Sequence, residues 1–387
     1  MSAAFAVSCD DGSNSIGPTL EQLDSNLVRT GKDIFRFDTF GDEKYWTDTL
    51  RMHEVIQTGV SPATALSVGI KVDVDSLPDA VRAAIAAGQV DLNSPATTVT
   101  LLKLNAVVGL KGQVSTVGGK DTLTRVGITC ALCHSTVDNS FAPGIGHRRD
   151  GWPNSTLNPG AIVALSPAVP AALKTILQSW GPGKYDPRTN IDGLNTPLVI
   201  PPAYGLQGVD KETYTAEGPV SYWNAYVAVT QMHAQGNFVD PRLGINITQT
   251  PDLVTSKLTA LRQYQLSLSV PRPAAGTVDA AAAARGKVVF DGVGRCSTCH
   301  TGSLYTDVNS GRLHAPGETG MDGRYAARTT EKAYRTTPLR GLLQHAPYFH
   351  DGSAVSLAAV VDHYNTFLTL GLSATQKQDL IAYLQTL

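Results

Sequence analysis

Cys130-Ala131-Leu132-Cys133-His134 and Cys296-Ser297-Thr298-Cys299-His300 decide how the rest of this sequence is read. Each is a Cys-x-x-Cys pair followed at once by a histidine. Two thiols three positions apart, on a turn entering a helix, can add to the two vinyl groups of one haem, and the adjacent histidine then lies beneath the iron as an axial ligand. The rival is a four-cysteine zinc site, whose pairs usually stand about 15 to 20 residues apart. Here residues 134–295 separate them, and both pairs carry a histidine. A thioredoxin-like dithiol explains neither the duplication nor the histidines. The expectation is two covalent c-type haems, one on Cys130 and Cys133 with His134 as ligand, the other on Cys296 and Cys299 with His300.

The surrounding chain is that of a soluble globular protein. Its 387 residues allow two or three domains at about 150 residues each. Apolar residues make up 42% and charged residues only 17%, which disfavours global disorder. With 31 basic and 33 acidic side chains the formal charge is −2; no basic field exists to hold nucleic acid or anionic lipid. No apolar run approaches the roughly 20 residues that span a bilayer.

Haem attachment of this kind takes place on the outer face of the bacterial inner membrane, so a periplasmic or cell-surface location is expected. Ala6-Val7-Ser8 before Cys9 resembles the end of a lipoprotein signal cut short, and Asp10 to Ser15 reads as a flexible tether. Cys9 is thus a candidate lipid anchor; the alternative is an ordinary thiol in a tail. Residues 1–18 are assigned to this truncated signal and tether.

Val270-Pro271-Arg272-Pro273-Ala274-Ala275-Gly276 is a proline and glycine hinge. It suggests a linker at 271–276 between an N-terminal haem domain, 19–270, and a C-terminal cytochrome domain, 277–387. The latter ends in an amphipathic segment with Leu380, Ile381, Leu384 and Leu387 on one helical face. Gly31-Lys32-Asp33-Ile34-Phe35 has a counterpart in Gly286-Lys287-Val288-Val289-Phe290. Phe290 stands shortly before Cys296, whereas residues 36–129 separate Phe35 from Cys130, so the first domain carries an insertion at about 40–120. Within it, Asp79 to Ala87 has a helical period and Thr97 to Val108 fits helix or strand. Thr196-Pro197-Leu198 and Thr337-Pro338-Leu339 repeat after each haem motif. The fold class expected is mainly α: two c-type cytochrome domains, each binding one covalent haem, with long loops and little strand.

A family resemblance follows from these residues. Thr336-Thr337-Pro338-Leu339-Arg340-Gly341, Ala346-Pro347-Tyr348-Phe349-His350-Asp351-Gly352-Ser353 and Val360-Val361-Asp362-His363-Tyr364-Asn365 closely resemble the C-terminal domain of bacterial di-haem cytochrome c peroxidases and the related MauG enzymes. Gly144-Ile145-Gly146-His147 resembles the loop that brings a second histidine to the family's N-terminal haem, and Leu194-Asn195-Thr196-Pro197 its Arg-Asn-x-Pro turn. The resemblance implies that peroxide or oxygen binds at the first haem, while the second takes electrons from a small cytochrome or cupredoxin donor. An iron accepts peroxide only where its sixth position is open or can be opened.

Carried over, His147 would be the removable distal ligand of the first haem; the bland reading is a loop histidine paired with Asp150. The family's second haem uses methionine or, in MauG enzymes, tyrosine. The resemblance thus implies Tyr364 there, with His350, His363 and Met321 as competitors. Where the family has a catalytic glutamate this chain has Gln231, which cannot move a proton; His233 or His147 are the substitutes. The family's bridging tryptophan is missing, leaving Tyr204, Tyr214, Trp223 and Trp152 as nearby aromatics. A calcium ion between the domains is possible, although Asn195 alone does not place it. The expected function is a periplasmic di-haem oxidoreductase that moves single electrons. The alternatives are a hydrogen peroxide reductase, or a non-catalytic carrier with both irons six-coordinate.

Overall fold

The computed structural model describes residues 20–387; Cys9 and the tether at 1–18 lie outside them. Helix takes up 42% of the chain and strand 12%. The strands form five two-stranded sheets among the described residues, so the chain is mainly helical with local β ribbons. No helix among the described residues is long and apolar enough to cross a membrane.

Two helix pairs are built by the same device. Helix Ser25–Phe37 starts where the Asp24 carboxylate accepts from the Asn26 and Leu27 amides, satisfying donors that have no partner within the helix. It crosses helix Leu258–Ser267 at Gly31, where a Cβ would stand 1.9 Å from Ala260 O. Helix Ala280–Asp291, capped by Asp279 in the same way, crosses helix Ala374–Leu384 at Gly286, where a Cβ would stand 1.9 Å from Asp379 O. Only glycine permits either approach. Phe35 and Phe290, four residues on in each case, are fully buried. The two Gly-Lys entries are therefore structural equivalents.

Residues 40–128 form a unit of short helices and one hairpin. Asp79–Ala86 and Pro95–Lys103 are helices, which resolves the second as helix rather than strand. The hairpin pairs Leu110–Val117 with Lys120–Ile128. Its two-residue turn is Gly118-Gly119, with φ of 59° and 77°, the conformation a tight hairpin connection requires. The hairpin's inner face, with Leu123 and Val126, joins Leu101, Leu102, Ile56 and Trp46 in one apolar core. Its base leads straight into Cys130. A different core, from Val289 to Leu384, is confined to the C-terminal part of the chain.

Buried ions tie distant segments together. Arg328 Nη1 donates to Asp186 Oδ2 at 2.8 Å and its Nε to Asp192 Oδ2 at 2.7 Å, with the Arg328 side chain only 3% exposed. Arg188 pairs with Glu217, also buried, and both guanidiniums lie over the ring of Tyr325. Removing one member leaves an uncompensated buried charge, which costs about 3–5 kcal/mol. Arg328→Met is therefore expected to lower stability by roughly that amount in urea unfolding; a loss below about 1 kcal/mol would show that the pairs are not desolvated.

Candidate cofactor-binding cavity

The two motifs are presented differently by the backbone but end in the same arrangement. Cys130 caps the short helix Ala131–His134 directly after the hairpin, and Gly109, at φ +79°, lets the hairpin base pass Leu132 so closely that a Cβ would stand 2.2 Å from its Cα. His134 Nδ1 lies 3.1 Å from Pro201 O. Cys296 opens a 3-10 turn after helix Ala280–Asp291, and His300 Nδ1 lies 2.9 Å from Tyr305 O. A carbonyl can only accept, so in both rings Nδ1 carries the proton and Nε2 keeps its lone pair. Neither Nε2 has a partner among the described residues. That is how a protein orients a metal-ligating histidine.

The charge states agree. Burial pulls the His134 imidazolium down to about 4 and holds His300 below its usual value, so both rings are neutral. Burial pushes the Cys130 and Cys133 thiols up to about 12 and Cys296 up to about 11. The four thiols do not converge: the one group of three or more His, Cys, Asp or Glu side chains among the described residues close enough to share a metal ion is Cys299, Asp307 and His314. A four-cysteine zinc site is not formed.

Both motifs line one cavity of about 900 Å3, at the upper end of the range of about 300–1,000 Å3 for cofactor sites. Its walls are largely aliphatic and aromatic. Among them Arg340 Nη1 and Arg335 Nε are buried without a hydrogen-bond partner in the described residues, and burial pulls Arg340 down to about 10. Arg335 already has an anion in Glu212, whose Oε2 lies 3.0 Å from its Nη1, whereas Arg340 has no hydrogen-bond partner among the described residues, and a desolvated guanidinium needs an anion. An apolar group bearing carboxylates, such as a porphyrin with its propionates, fits this lining.

On the side of the first motif, Gln231 ends a π-helical turn, Val227–Gln231. Its Oε1 accepts from Tyr185 Oη at 2.7 Å, and its Nε2 donates to Thr230 Oγ1 at 2.8 Å and Asn190 Oδ1 at 3.1 Å. The amide is fully committed. His233 follows at φ +59°, stacked on Tyr45 with ring centroids 3.7 Å apart. Its ring nitrogens have no partner among the described residues, and burial holds its pKa below the usual value.

His147 is not brought to the cavity. Its side chain is 60% exposed, with Nδ1 2.9 Å from Asp75 Oδ1, and it does not line the void. The partner is not Asp150, which instead receives Arg36 and Tyr264. The reason lies in the insertion: Val72–Asp73 pairs in parallel with Ile145–Gly146, and Asp73 binds buried Arg148 at 2.9 Å. These contacts pin the loop to the insertion and turn His147 outward.

At the second motif, Tyr364, His350 and Met321 line the cavity. His363 does not; its Nε2 lies 2.8 Å from Thr319 O. His350 Nε2 is taken by Tyr334 Oη at 3.1 Å, with the two rings stacked. Tyr364 Oη has no partner among the described residues, and burial, with Cys296 and Cys299 nearby, pushes it up to about 12. Tyr204, Tyr214 and Trp223 are cavity walls whose polar atoms go to backbone carbonyls. Trp152 stands behind them, edge-on to Tyr204 at 6.2 Å. Asn195 is committed to Trp180 and Ser179. Cavity residues that escaped the sequence reading include Tyr45, Tyr185, Asn190 and His345, the last pulled down to about 4 by burial.

No family model matches the chain. Among curated proteins it is 31% identical over 162 residues to the methylamine utilization protein MauG of Methylorubrum extorquens, covering 35% of this chain and 43% of that one. It is 30% identical over 143 residues to a cytochrome-c peroxidase of Denitromonas iodatirespirans, covering 26% and 38%. The chain thus spans about two fifths of the length of these relatives. Among solved structures, a MauG-like protein associated with microbial copper homeostasis aligns with a TM-score of 0.35 at 20% identity, over 50% of this chain and 74% of that one. Hydrazine synthase of Kuenenia stuttgartiensis aligns with a TM-score of 0.35 at 18% identity, over 50% and 73%. The curated proteins that the chain resembles over these partial spans are thus MauG and cytochrome-c peroxidase proteins.

Proposed function

We propose that the chain is an exported di-haem c-type cytochrome acting as a one-electron oxidoreductase, with its haems held by Cys130, Cys133 and His134 and by Cys296, Cys299 and His300. The observation that carries this reading is that both histidines line one apolar cavity with Nδ1 fixed by a carbonyl and Nε2 unclaimed. Residues 19–270 and 277–387 would be the two haem domains, an arrangement supported by the apolar core confined to the C-terminal part. A haem iron supplies one-electron redox chemistry and, where its sixth position is open, a place for peroxide or oxygen.

The residues around the two sites support different roles. At the second, Tyr364 offers an oxygen donor facing the Cys296–Cys299 turn, and an anionic oxygen favours ferric iron. Deprotonating this phenol needs a strong cationic partner, because burial, with Cys296 and Cys299 nearby, raises its pKa; a ferric ion is such a partner. At the first, Gln231 is locked by Tyr185 and Asn190 and holds no transferable proton. His233, unbonded and with its pKa held low by burial, would be the group to accept one and return it. Reduction of hydrogen peroxide, with electrons from a small cytochrome or cupredoxin, is the finer reading this favours over a passive carrier.

Three outcomes are expected of protein matured with its haems. His147→Ala should leave the optical and spin-resonance spectra of both haems unchanged; new high-spin character at one haem would return His147 to an iron. Tyr364→Phe should alter the spectrum of one haem only and raise its reduction potential, and identical spectra would remove the tyrosine from the second site. His233→Ala should lower peroxide turnover by about 100-fold or more, the usual scale for a lost general acid–base group, with unchanged haem content. Full activity in that variant would assign proton transfer elsewhere.

A further inference from the structure

Beside the first motif lies a second, separate cavity of about 70 Å3. It forms where the hairpin, the helix Pro95–Lys103 and the helix Pro62–Ser67 meet, each held in place by contacts of its own. Trp46 and Thr98 alone among its lining side chains carry a nitrogen or oxygen, and neither atom is exposed to the space. The indole nitrogen of Trp46 is spent on Met232 O at 3.1 Å, and Thr98 Oγ1 is buried with no partner among the described residues. Every other lining side chain is apolar.

A buried water needs two to four polar partners, and apolar cavities that offer fewer stay dry and take up apolar guests. Here at most one hydroxyl is on offer, so water is excluded. The volume accepts a molecule of two or three atoms and nothing as large as an organic substrate. Trp46, Ile128, Leu132 and Ile162 line both this cavity and the large one. Leu132 lies inside the first motif, between Cys130 and Cys133. One layer of side chains therefore separates the small cavity from the space assigned to the first haem.

We propose that this cavity is a docking site for a small, uncharged, apolar molecule of dioxygen's class, positioned to pass it to the first haem site. Binding itself needs only the polypeptide walls, so its test stands apart from haem ligation and turnover.

The probe is xenon, applied under pressure to crystals of the mature protein. One xenon atom is expected among Ala65, Leu102 and Leu132. Ala65→Leu, which fills the space from the Pro62–Ser67 helix, should weaken xenon binding at least tenfold without lowering the melting temperature; should that variant not fold, Val60→Phe reaches the same space. Thr98→Val, which removes the orphan hydroxyl, should keep the xenon. Dissolved dioxygen should broaden the methyl resonances of Leu102 and Val126 more than those of surface methyls. No xenon at this position, equal xenon occupancy in the filled variant, or dioxygen broadening no greater than at the surface would each overturn the proposal.

Discussion

A chain that folds around an apolar cavity of about 900 Å3 depends on having that space filled. Unoccupied, its apolar walls would stand in contact with water, which the hydrophobic effect opposes. The lining narrows what kind of group can meet that need. It is aliphatic and aromatic over much of its area, it brings in two guanidinium nitrogens without partners among the described residues, and it carries thiols and a pre-oriented imidazole at each of two places. The helix crossings at Gly31 and Gly286 and the buried pairs of Arg188 and Arg328 hold the walls that define it.

Within this shared frame the two sites diverge. Each proximal-type histidine is neutral and held by a backbone carbonyl, so the protein contributes similar orientation at both. The differences lie on the opposite faces. Tyr364 gives the second site an oxygen donor whose ionisation requires a cation close by. The first site has an amide immobilised by three hydrogen bonds and a histidine kept in reserve on a tyrosine ring. A π-helical turn delivers Gln231 and a left-handed residue delivers His233; both are backbone irregularities of the kind that collect at functional sites. Under the proposed function, such an asymmetry would suit one site to reactivity and the other to stable electron exchange.

Much of this was legible in the residues, for identifiable reasons. The Cys-x-x-Cys-His spacing is a local pattern, so the expectation of a haem at each motif needs no fold to be stated. The Gly-Lys entries were legible because glycine at a helix crossing is a steric requirement that recurs in both copies. His147 was not, because its direction is set by residues 72–75, far away in sequence, whose pairing with Ile145–Gly146 no local pattern announces. The hairpin at 110–128 carries a local signal, Gly118-Gly119 between alternating β-branched residues, which the reading of the insertion through its helical periods leaves out. Tyr45, Tyr185, Asn190 and His345 reach the cavity only through tertiary packing; nothing in their immediate neighbours marks them.

The central claim is that two porphyrins are bonded to this polypeptide, one at each cysteine pair. Intact mass spectrometry of the denatured chain, produced in a host with working cytochrome assembly, tests it most directly, because only covalent groups survive unfolding. The account predicts a species heavier than the polypeptide by two haem masses, with peptides spanning 130–134 and 296–300 each carrying one. A chain of unmodified mass, or one bearing a single haem, would contradict it.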